Sequence, residues 1–91
     1  MEQIKISGYV FTPKLSLLLT ISHLTYLNGY ATIKELKENT DYGYQYIYKA
    51  VKEMELLKFI VVIHPFSKRS KSFYISDYGV KHLNKLFETM R

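Results

Sequence analysis

The chain has 91 residues, of which 47% are hydrophobic and 23% are charged, and its formal net charge is +5. This balance is typical of one small folded domain and excludes a disordered chain. No apolar run approaches the roughly 20 residues that span a bilayer, no cysteine is present, and the N-terminus lacks the basic and apolar stretches of a secretory signal. We therefore expect a single domain, 1–91, in the cytoplasm, with no membrane partner, disulfide or thiolate metal site.

Residues 1–11 predict a short arm ahead of the first helix. Ile4 and Ile6 alternate with polar residues, and this pattern permits a short strand. A loosely ordered terminus explains the same residues equally well.

The first helix is predicted at 12–28. Thr12 supplies a hydroxyl cap, Pro13 favours the first helical position, and Gly29 is placed to end the helix. Either one domain buries this helix on several sides, or the helix is shared between the domain core and a second copy of the chain. Both interpretations follow from apolar residues that cover more than half of the circumference, namely Leu15, Leu17, Leu18, Leu19, Ile21, Leu24 and Tyr26.

Residues 32–57 predict two helices joined by a turn. The residues from Thr32 to Glu35 have the capping-box pattern of a helix start, and a short helix follows. After a turn, a third helix is predicted at about 43–57. Its inner stripe has helical spacing and consists of Ile47, Ala50, Val51, Met54 and Leu57.

Residues 59–76 predict a β-hairpin, and residues 77–90 predict a closing helix. The strands are rich in β-branched and aromatic residues, and the loop between them contains Pro65. Ser76 or Asp77 can cap the last helix, whose expected buried arc contains Val80, Leu83, Leu86, Phe87 and Met90. This order of elements predicts a mainly helical α+β fold with a three-helix core, a two-stranded sheet and a C-terminal helix.

Amide, phenol and ammonium groups gather on the outer face of the third helix. The helical angle places Gln45, Lys49 and Lys52 opposite the inner stripe, with Tyr44 and Tyr48 beside them. An amide can bind adenine, a phenol can stack on a thymine methyl group or bind a phosphate, and lysines can neutralise phosphates. Exposed tyrosines favour a partner, although lysines on a helix also fit an ordinary solvated face.

Three further cations, Lys68, Arg69 and Lys71, lie at the predicted hairpin tip with no acid between them. The segment 43–74 contains six bases and two acids, so it holds most of the excess positive charge. Such a tip can contact a nucleic-acid backbone, and it can equally serve as a solubilising loop.

The sequence contains no pattern typical of catalysis. His23, His64 and His82 fall on different predicted elements, without the i, i+4 spacing of a helical zinc pair. The four glycines are isolated, so the chain has neither a phosphate-binding glycine loop nor a nucleophile elbow. We therefore expect a protein that is not an enzyme and that uses no cofactor and no metal.

The segment from Ala31 to Leu86 resembles the winged helix-turn-helix superfamily, in particular its MarR, ArsR and PadR types and the very small regulators of archaea and their viruses. The resemblance is carried by the stretch AVKEMELLKFI at 50–60, by the charged hairpin tip, and by the S-D-x-G sequence at 76–79. Many members have glycine after the third helix, where this chain has Lys58. We therefore expect a turn with a small strain at Lys58.

The resemblance implies a sequence-specific regulator of transcription that binds double-stranded DNA as a homodimer. The third helix would enter the major groove, and the hairpin, or wing, would follow the backbone or reach the minor groove. The corresponding DNA-binding residues are Tyr44, Gln45, Tyr48, Lys49, Lys52, Lys68, Arg69 and Lys71. The apolar first and last helices indicate a dimer interface that contains Leu15, Leu18, Leu19, Tyr26, Phe87 and Met90. A winged helix that contacts only proteins, or that binds RNA, is the alternative.

Overall fold

The computed structural model describes the backbone of residues 4–6, 9–63 and 71–89 and the side chains of residues 12–63 and 71–88. In this part of the chain, four helices accompany two small antiparallel sheets. The elements in chain order are β1 Ile4–Ile6, β2 Tyr9–Phe11, α1 Pro13–Asn28, β3 Ala31–Thr32, α2 Ile33–Asn39, α3 Tyr44–Leu56, β4 Ile60–Ile63, β5 Ser72–Ile75 and α4 Asp77–Thr89. The protein is therefore mainly helical and of the α+β class, as predicted.

The N-terminal arm contains a small hairpin of its own. β1 pairs antiparallel with β2, so that Ile4 lies opposite Phe11 and Ile6 lies opposite Tyr9, and β2 contacts α1. The alternation at Ile4 and Ile6 thus corresponds to a strand. The sequence pattern did not predict β2, because three residues are too few to display a period.

Helix α1 begins and ends at the predicted capping residues. The Thr12 hydroxyl oxygen accepts a hydrogen bond from the backbone N–H of Leu15 at 3.2 Å. At the other end, Gly29 has a left-handed φ of 87° and donates its N–H to the Thr25 carbonyl oxygen, which is the conformation that glycine adopts most easily. The domain itself buries Leu17, Leu18, Ile21 and Leu24.

The main sheet has three strands rather than the predicted two. Its order is β3-β5-β4, with Phe73 of β5 paired to Ala31 on one side and to Val62 on the other. Phe73 and Ala31 are fully buried, and Ile60 and Val62 alternate with the exposed Val61 and Ile63 along β4. The two-residue strand β3 was missed, because such a segment shows no alternation and Thr32 also caps α2.

One hydrophobic core joins α1, α2, α3 and the inner face of the sheet. Its central side chains are fully buried and comprise Leu17, Ile21, Leu36, Ile47, Val51 and Phe73. The inner stripe predicted for α3 is correct except at one residue. Leu57 is 51% exposed, because α3 ends at Leu56 and Leu57 forms its C-cap.

The chain leaves α3 through a Schellman turn built on lysine. Lys58 has φ 68°, and the N–H of Phe59 donates to the Met54 carbonyl oxygen while that of Lys58 donates to the Glu55 carbonyl oxygen. The expected turn without glycine at Lys58 is therefore present. A left-handed φ costs a residue with a side chain about 1–2 kcal/mol.

The start of α4 is fastened to this turn. The Ser76 hydroxyl donates to the Lys58 carbonyl oxygen at 2.6 Å and accepts from the Gly79 N–H at 2.9 Å, and the Ser76 N–H donates to the Phe59 carbonyl oxygen. Ser76 is therefore the N-terminal cap of α4. The Phe59 ring stacks against Tyr78 and His82, which lie one turn apart on α4.

The buried arc predicted for α4 is too wide. Leu83 is 4% exposed, but Val80 is 39% and Phe87 is 41% exposed, and Met90 lies outside the described residues. The packed line of the helix runs through Gly79 and Leu83, and Val80 lies roughly 80° and Phe87 roughly 60° around the helix from it. The periodicity of the sequence correctly predicts which side of α4 is apolar. It does not predict how much of that side is buried, because other elements of the fold determine the area that packs against it.

Candidate nucleic-acid interface

Helix α3 presents a polar stripe on the side opposite its core contacts. Gln45, Lys49 and Lys52 are exposed, and they follow one another at spacings of four and three residues, so they form one line along the helix. We call this line the outer stripe of α3. Leu56 continues the line and is 72% exposed. The helical angle also places Leu56 on this line, but a single apolar residue has no chemistry that would distinguish it in the sequence.

Four tyrosines at alternating positions divide between the surface and the core. Tyr44 and Tyr48 are 49% and 54% exposed, whereas Tyr42 and Tyr46 pack against the core with ring centroids 5.4 Å apart. Burial raises the pKa of the Tyr46 phenol above its ordinary value, and the nearby Lys14 partly opposes this shift. Tyr46 is therefore partly core, and the two rings beside the outer stripe are Tyr44 and Tyr48.

A cation from α2 lies over one of these exposed rings. The Lys37 ammonium nitrogen is 5.8 Å from the centroid of the Tyr44 ring, which is within the range of a cation–π contact. This contact links α2 to the first turn of α3. It also places a positive charge next to the ring.

The lysines of the outer stripe have no ion-pair partner within residues 12–63 and 71–88, whereas Glu53, one of the two acids of α3, is already paired. Glu53 accepts a hydrogen bond from the Lys14 ammonium of α1 at 2.6 Å. Because Glu53 is paired with Lys14, it forms no ion pair with Lys49 or Lys52. The contact also ties the last half of α3 to the first turn of α1.

The structure assembles only part of the predicted DNA-binding set. It places Tyr44, Gln45, Tyr48, Lys49 and Lys52 on the exposed side of α3. Lys71 is half-buried just before β5. Lys68 and Arg69 lie outside the described residues, so the wing contacts stay a prediction.

The predicted dimer residues differ widely in exposure. Tyr26 is 87% and Phe87 is 41% exposed, but Leu18 is 3% exposed and belongs to the core of its own chain. Leu15 and Leu19 are half-buried and pack against that core, and Met90 lies outside the described residues. Only the exposed members of the set offer surface to a second copy, and Leu18 offers none.

An open, mostly apolar cavity of about 350 Å³ separates the first turns of α1 from α4. Its lining includes Leu15 and Leu18 of α1, Met54 and Leu57 at the end of α3, and Leu86 of α4. Side chains of α1 and α4 therefore border the same cavity, whereas the start of α4 is joined to the turn after α3.

Two further features concern the described residues as a group. No described helix combines the length and the apolar character needed to cross a membrane. Residues 4–6, 9–63 and 71–89 also contain no cluster of three or more histidine, aspartate or glutamate side chains arranged to hold a metal ion.

Comparison with known proteins gives a fold but no family. No protein-family model matches the sequence, and no curated protein matches it either. Among solved structures, the chain is similar to the crystal structure of AF1382 from Archaeoglobus fulgidus, with a TM-score of 0.68 and 17% identity over 86% of this chain and 87% of that one. The two proteins share a small α+β fold with a helical core and a three-stranded antiparallel sheet.

Proposed function

We propose that this protein is a winged helix-turn-helix regulator that binds double-stranded DNA and controls transcription in the cytoplasm. Helices α2 and α3 would form the helix-turn-helix, with α3 in the major groove, and the segment between β4 and β5 would be the wing. The observation that carries the proposal is the outer stripe of α3, where an exposed amide and two exposed lysines lie beside two exposed tyrosine rings.

The dimensions of α3 suit this role. The helix has 13 residues, which corresponds to a length of about 20 Å. A helix with its side chains is about 10–12 Å wide, and the major groove of B-DNA is about 12 Å wide. The core packs against the opposite side of α3, and the Schellman turn holds its C-terminal end, so the outer stripe can face the groove without loss of packing.

Binding should depend steeply on salt, because the lysines would displace counterions from phosphates. Each neutralised phosphate contributes about −0.9 to the slope of log affinity against log salt concentration. We expect Lys49→Ala to weaken binding to a fluorescein-labelled duplex in an anisotropy titration and to reduce the slope by about one unit. Lys81→Ala is the matched control, since Lys81 is an exposed lysine on α4 outside the proposed interface.

The outcomes separate the candidate functions. Equal losses for Lys49→Ala and Lys81→Ala would remove α3 from the interface. The absence of binding to any duplex at low salt would end the DNA-binding proposal, and tighter binding to a structured RNA would favour the RNA alternative. Selection of bound sequences from a random duplex pool would then give the operator.

The proposed assembly is a homodimer that joins α1 and α4 of two copies. It is supported by the exposed apolar side chains of these helices, which include Tyr26, Val80 and Phe87. A two-fold dimer on DNA would place its two α3 helices about 34 Å apart and would favour a pseudo-palindromic site. Sedimentation equilibrium at micromolar concentration should give a dimer that Phe87→Ala weakens and Glu88→Ala leaves intact. A monomer for the unmodified protein would contradict this assembly.

A further inference from the structure

We propose that α3 reads A·T base pairs, with the Gln45 amide on adenine and the Tyr44 and Tyr48 rings against the methyl groups of thymine. This inference rests on the proposed function, since it assigns the base preference of the same helix. It concerns direct contacts in the major groove and is independent of the wing.

The three residues occupy the part of α3 that reaches the bases. In helix-turn-helix proteins the N-terminal residues of the recognition helix contact base edges, and Tyr44, Gln45 and Tyr48 lie in the first five positions of α3. Lys49 and Lys52 come later along the helix, which suits contact with the phosphates. The order of the residues along α3 therefore assigns base contacts to its N-terminal end and phosphate contacts to its later turns.

The two rings have a spacing that matches the duplex. Tyr44 and Tyr48 are four residues apart, so they lie on one side of the helix and are separated by roughly 6 Å along its axis. Two base steps span roughly 6.8 Å. One ring can therefore meet the edge of a base pair while the other meets the edge two pairs away.

The Tyr44 and Tyr48 rings are not among the side chains that pack against the core. Tyr44 and Tyr48 leave about half of their surface accessible, whereas Tyr42 and Tyr46 already fill the adjacent space against the core. An aromatic ring gains most by burial of its apolar area, and a thymine methyl group is the apolar surface that the major groove offers. The Lys37 contact favours one placement of the Tyr44 ring before DNA arrives.

The chemistry of α3 also disfavours guanine. The commonest specific contact to guanine is an arginine or lysine on its O6 and N7 atoms. Helix α3 contains no arginine, and its lysines, Lys49 and Lys52, lie beyond the five N-terminal positions that reach the bases. A glutamine amide matches the donor and acceptor of adenine, N6 and N7, in the same bidentate manner. The base-reaching end of α3 thus carries the groups for adenine and thymine and lacks the usual group for guanine.

The test uses three duplexes of equal length in anisotropy titrations at one salt concentration. The first is A·T-rich, the second is G·C-rich, and the third is the A·T-rich duplex with deoxyuridine in place of thymidine, which removes only the C5 methyl groups. We expect the A·T-rich duplex to bind at least about fivefold more tightly than the G·C-rich one. Uracil should weaken binding by about fourfold for each methyl group that a ring covers.

Variants assign these effects to residues. Gln45→Ala should reduce the preference for A·T over G·C, and Tyr48→Ala should reduce the difference between thymine and uracil. Tyr30→Ala is the control, since Tyr30 is also an exposed tyrosine but lies outside α3. Circular dichroism melting of each variant verifies that it is folded.

Different failures point to different errors. If no duplex binds, the proposed function is wrong. If all three bind equally, or G·C binds best, DNA binding stands and the A·T inference is overturned. If the A·T preference survives both Gln45→Ala and uracil, its source is groove shape read by another element, which also overturns the inference.

Discussion

Substitution of Gly79 by alanine tests the contact between the turn after α3 and the start of α4. A Cβ atom at this position would lie 2.3 Å from the Phe59 carbonyl oxygen and 2.8 Å from Cγ1 of Ile75. Favourable contact distances begin at about 3.5 Å, so α4 would have to move away by about 1 Å. The φ of Gly79 is not left-handed, so backbone conformation does not require glycine here. The close approach of Phe59 and Ile75 does.

The size of the effect follows from three contributions. Overpacking of a tight contact costs about 1–3 kcal/mol. Movement of α4 also weakens the hydrogen bonds from the Ser76 N–H to Phe59 and from the Gly79 N–H to Ser76, each worth about 1 kcal/mol. Alanine is favoured over glycine inside a helix by about 1 kcal/mol, and this gain opposes the first two contributions. We expect a net loss of about 2 kcal/mol.

Thermal unfolding followed by circular dichroism measures this loss. For a domain of this size, about 2 kcal/mol corresponds to a fall in the midpoint of roughly 10 °C, and urea titration should give the same free energy. Gly43→Ser is the matched control, because a Cβ at Gly43 meets no atom within 4 Å and α3 has no side-chain cap there. An unchanged or higher midpoint for Gly79→Ala would refute the close-approach argument.

Four further predictions concern local features of the fold. Gly43→Ser should raise the free energy of unfolding by a few tenths of a kcal/mol through the added cap, and urea midpoints below the wild type would contradict this. Lys58→Gly should stabilise the protein by about 1 kcal/mol by relieving the left-handed φ of 68°, whereas Lys58→Ala keeps the strain and should show no such gain in the same titration. Lys14→Met should change the free energy of unfolding by less than about 1 kcal/mol, because both members of its ion pair with Glu53 are substantially exposed; a larger loss would mean that the contact orders α3 more strongly than we argue. Because the folded protein holds the Tyr46 proton more tightly than the unfolded chain, the free energy of unfolding should fall as the pH rises above the ordinary tyrosine pKa of about 10, and Tyr46→Phe should flatten this part of a pH series.

Local chemistry explains which parts of the fold the sequence predicted. The bounds of α1 follow from Thr12 and Gly29, because caps act within one turn of the backbone. The strain at Lys58 was also predictable, since a turn after α3 requires a left-handed residue and no glycine is available. These features depend only on residues that are close together in the chain, so they can be predicted from the sequence.

Contacts between distant residues were beyond the sequence pattern. Lys14 and Glu53 are 39 positions apart, and no periodicity links them. The same holds for the pairing of Ala31 with Phe73 that adds a third strand. The exposed Val80 and Phe87 were misjudged for a related reason, because the width of the surface that receives α4 is set by other elements.

The sequence predicts which side of α3 carries the candidate interface, but not the contacts that α1 and α2 make with it. Angular arithmetic alone places Gln45, Lys49 and Lys52 on one side of α3, and the structure has them exposed there. The cation above Tyr44 comes from α2, and the ion-pair partner of Glu53 comes from α1. Both require the tertiary fold, so the electrostatic character of the outer stripe could not be read from α3 by itself.

The two ends of α3 are fixed very differently, and this difference bears on how the proposed dimer would read DNA. At the N-terminal end, Gly43 supplies no side-chain cap. At the C-terminal end, the Schellman turn, the Ser76 hydrogen bonds and the close approach of Gly79 fasten α3 to α4. A dimer that joins two α4 helices would therefore transmit its geometry to the two α3 helices through this junction. The distance between the two helices would then be set by this junction, whereas the base-reaching end has no side-chain cap and contacts α2 through Lys37 and Tyr44. On this argument a change of half-site spacing should lower the affinity of the dimer for its DNA site.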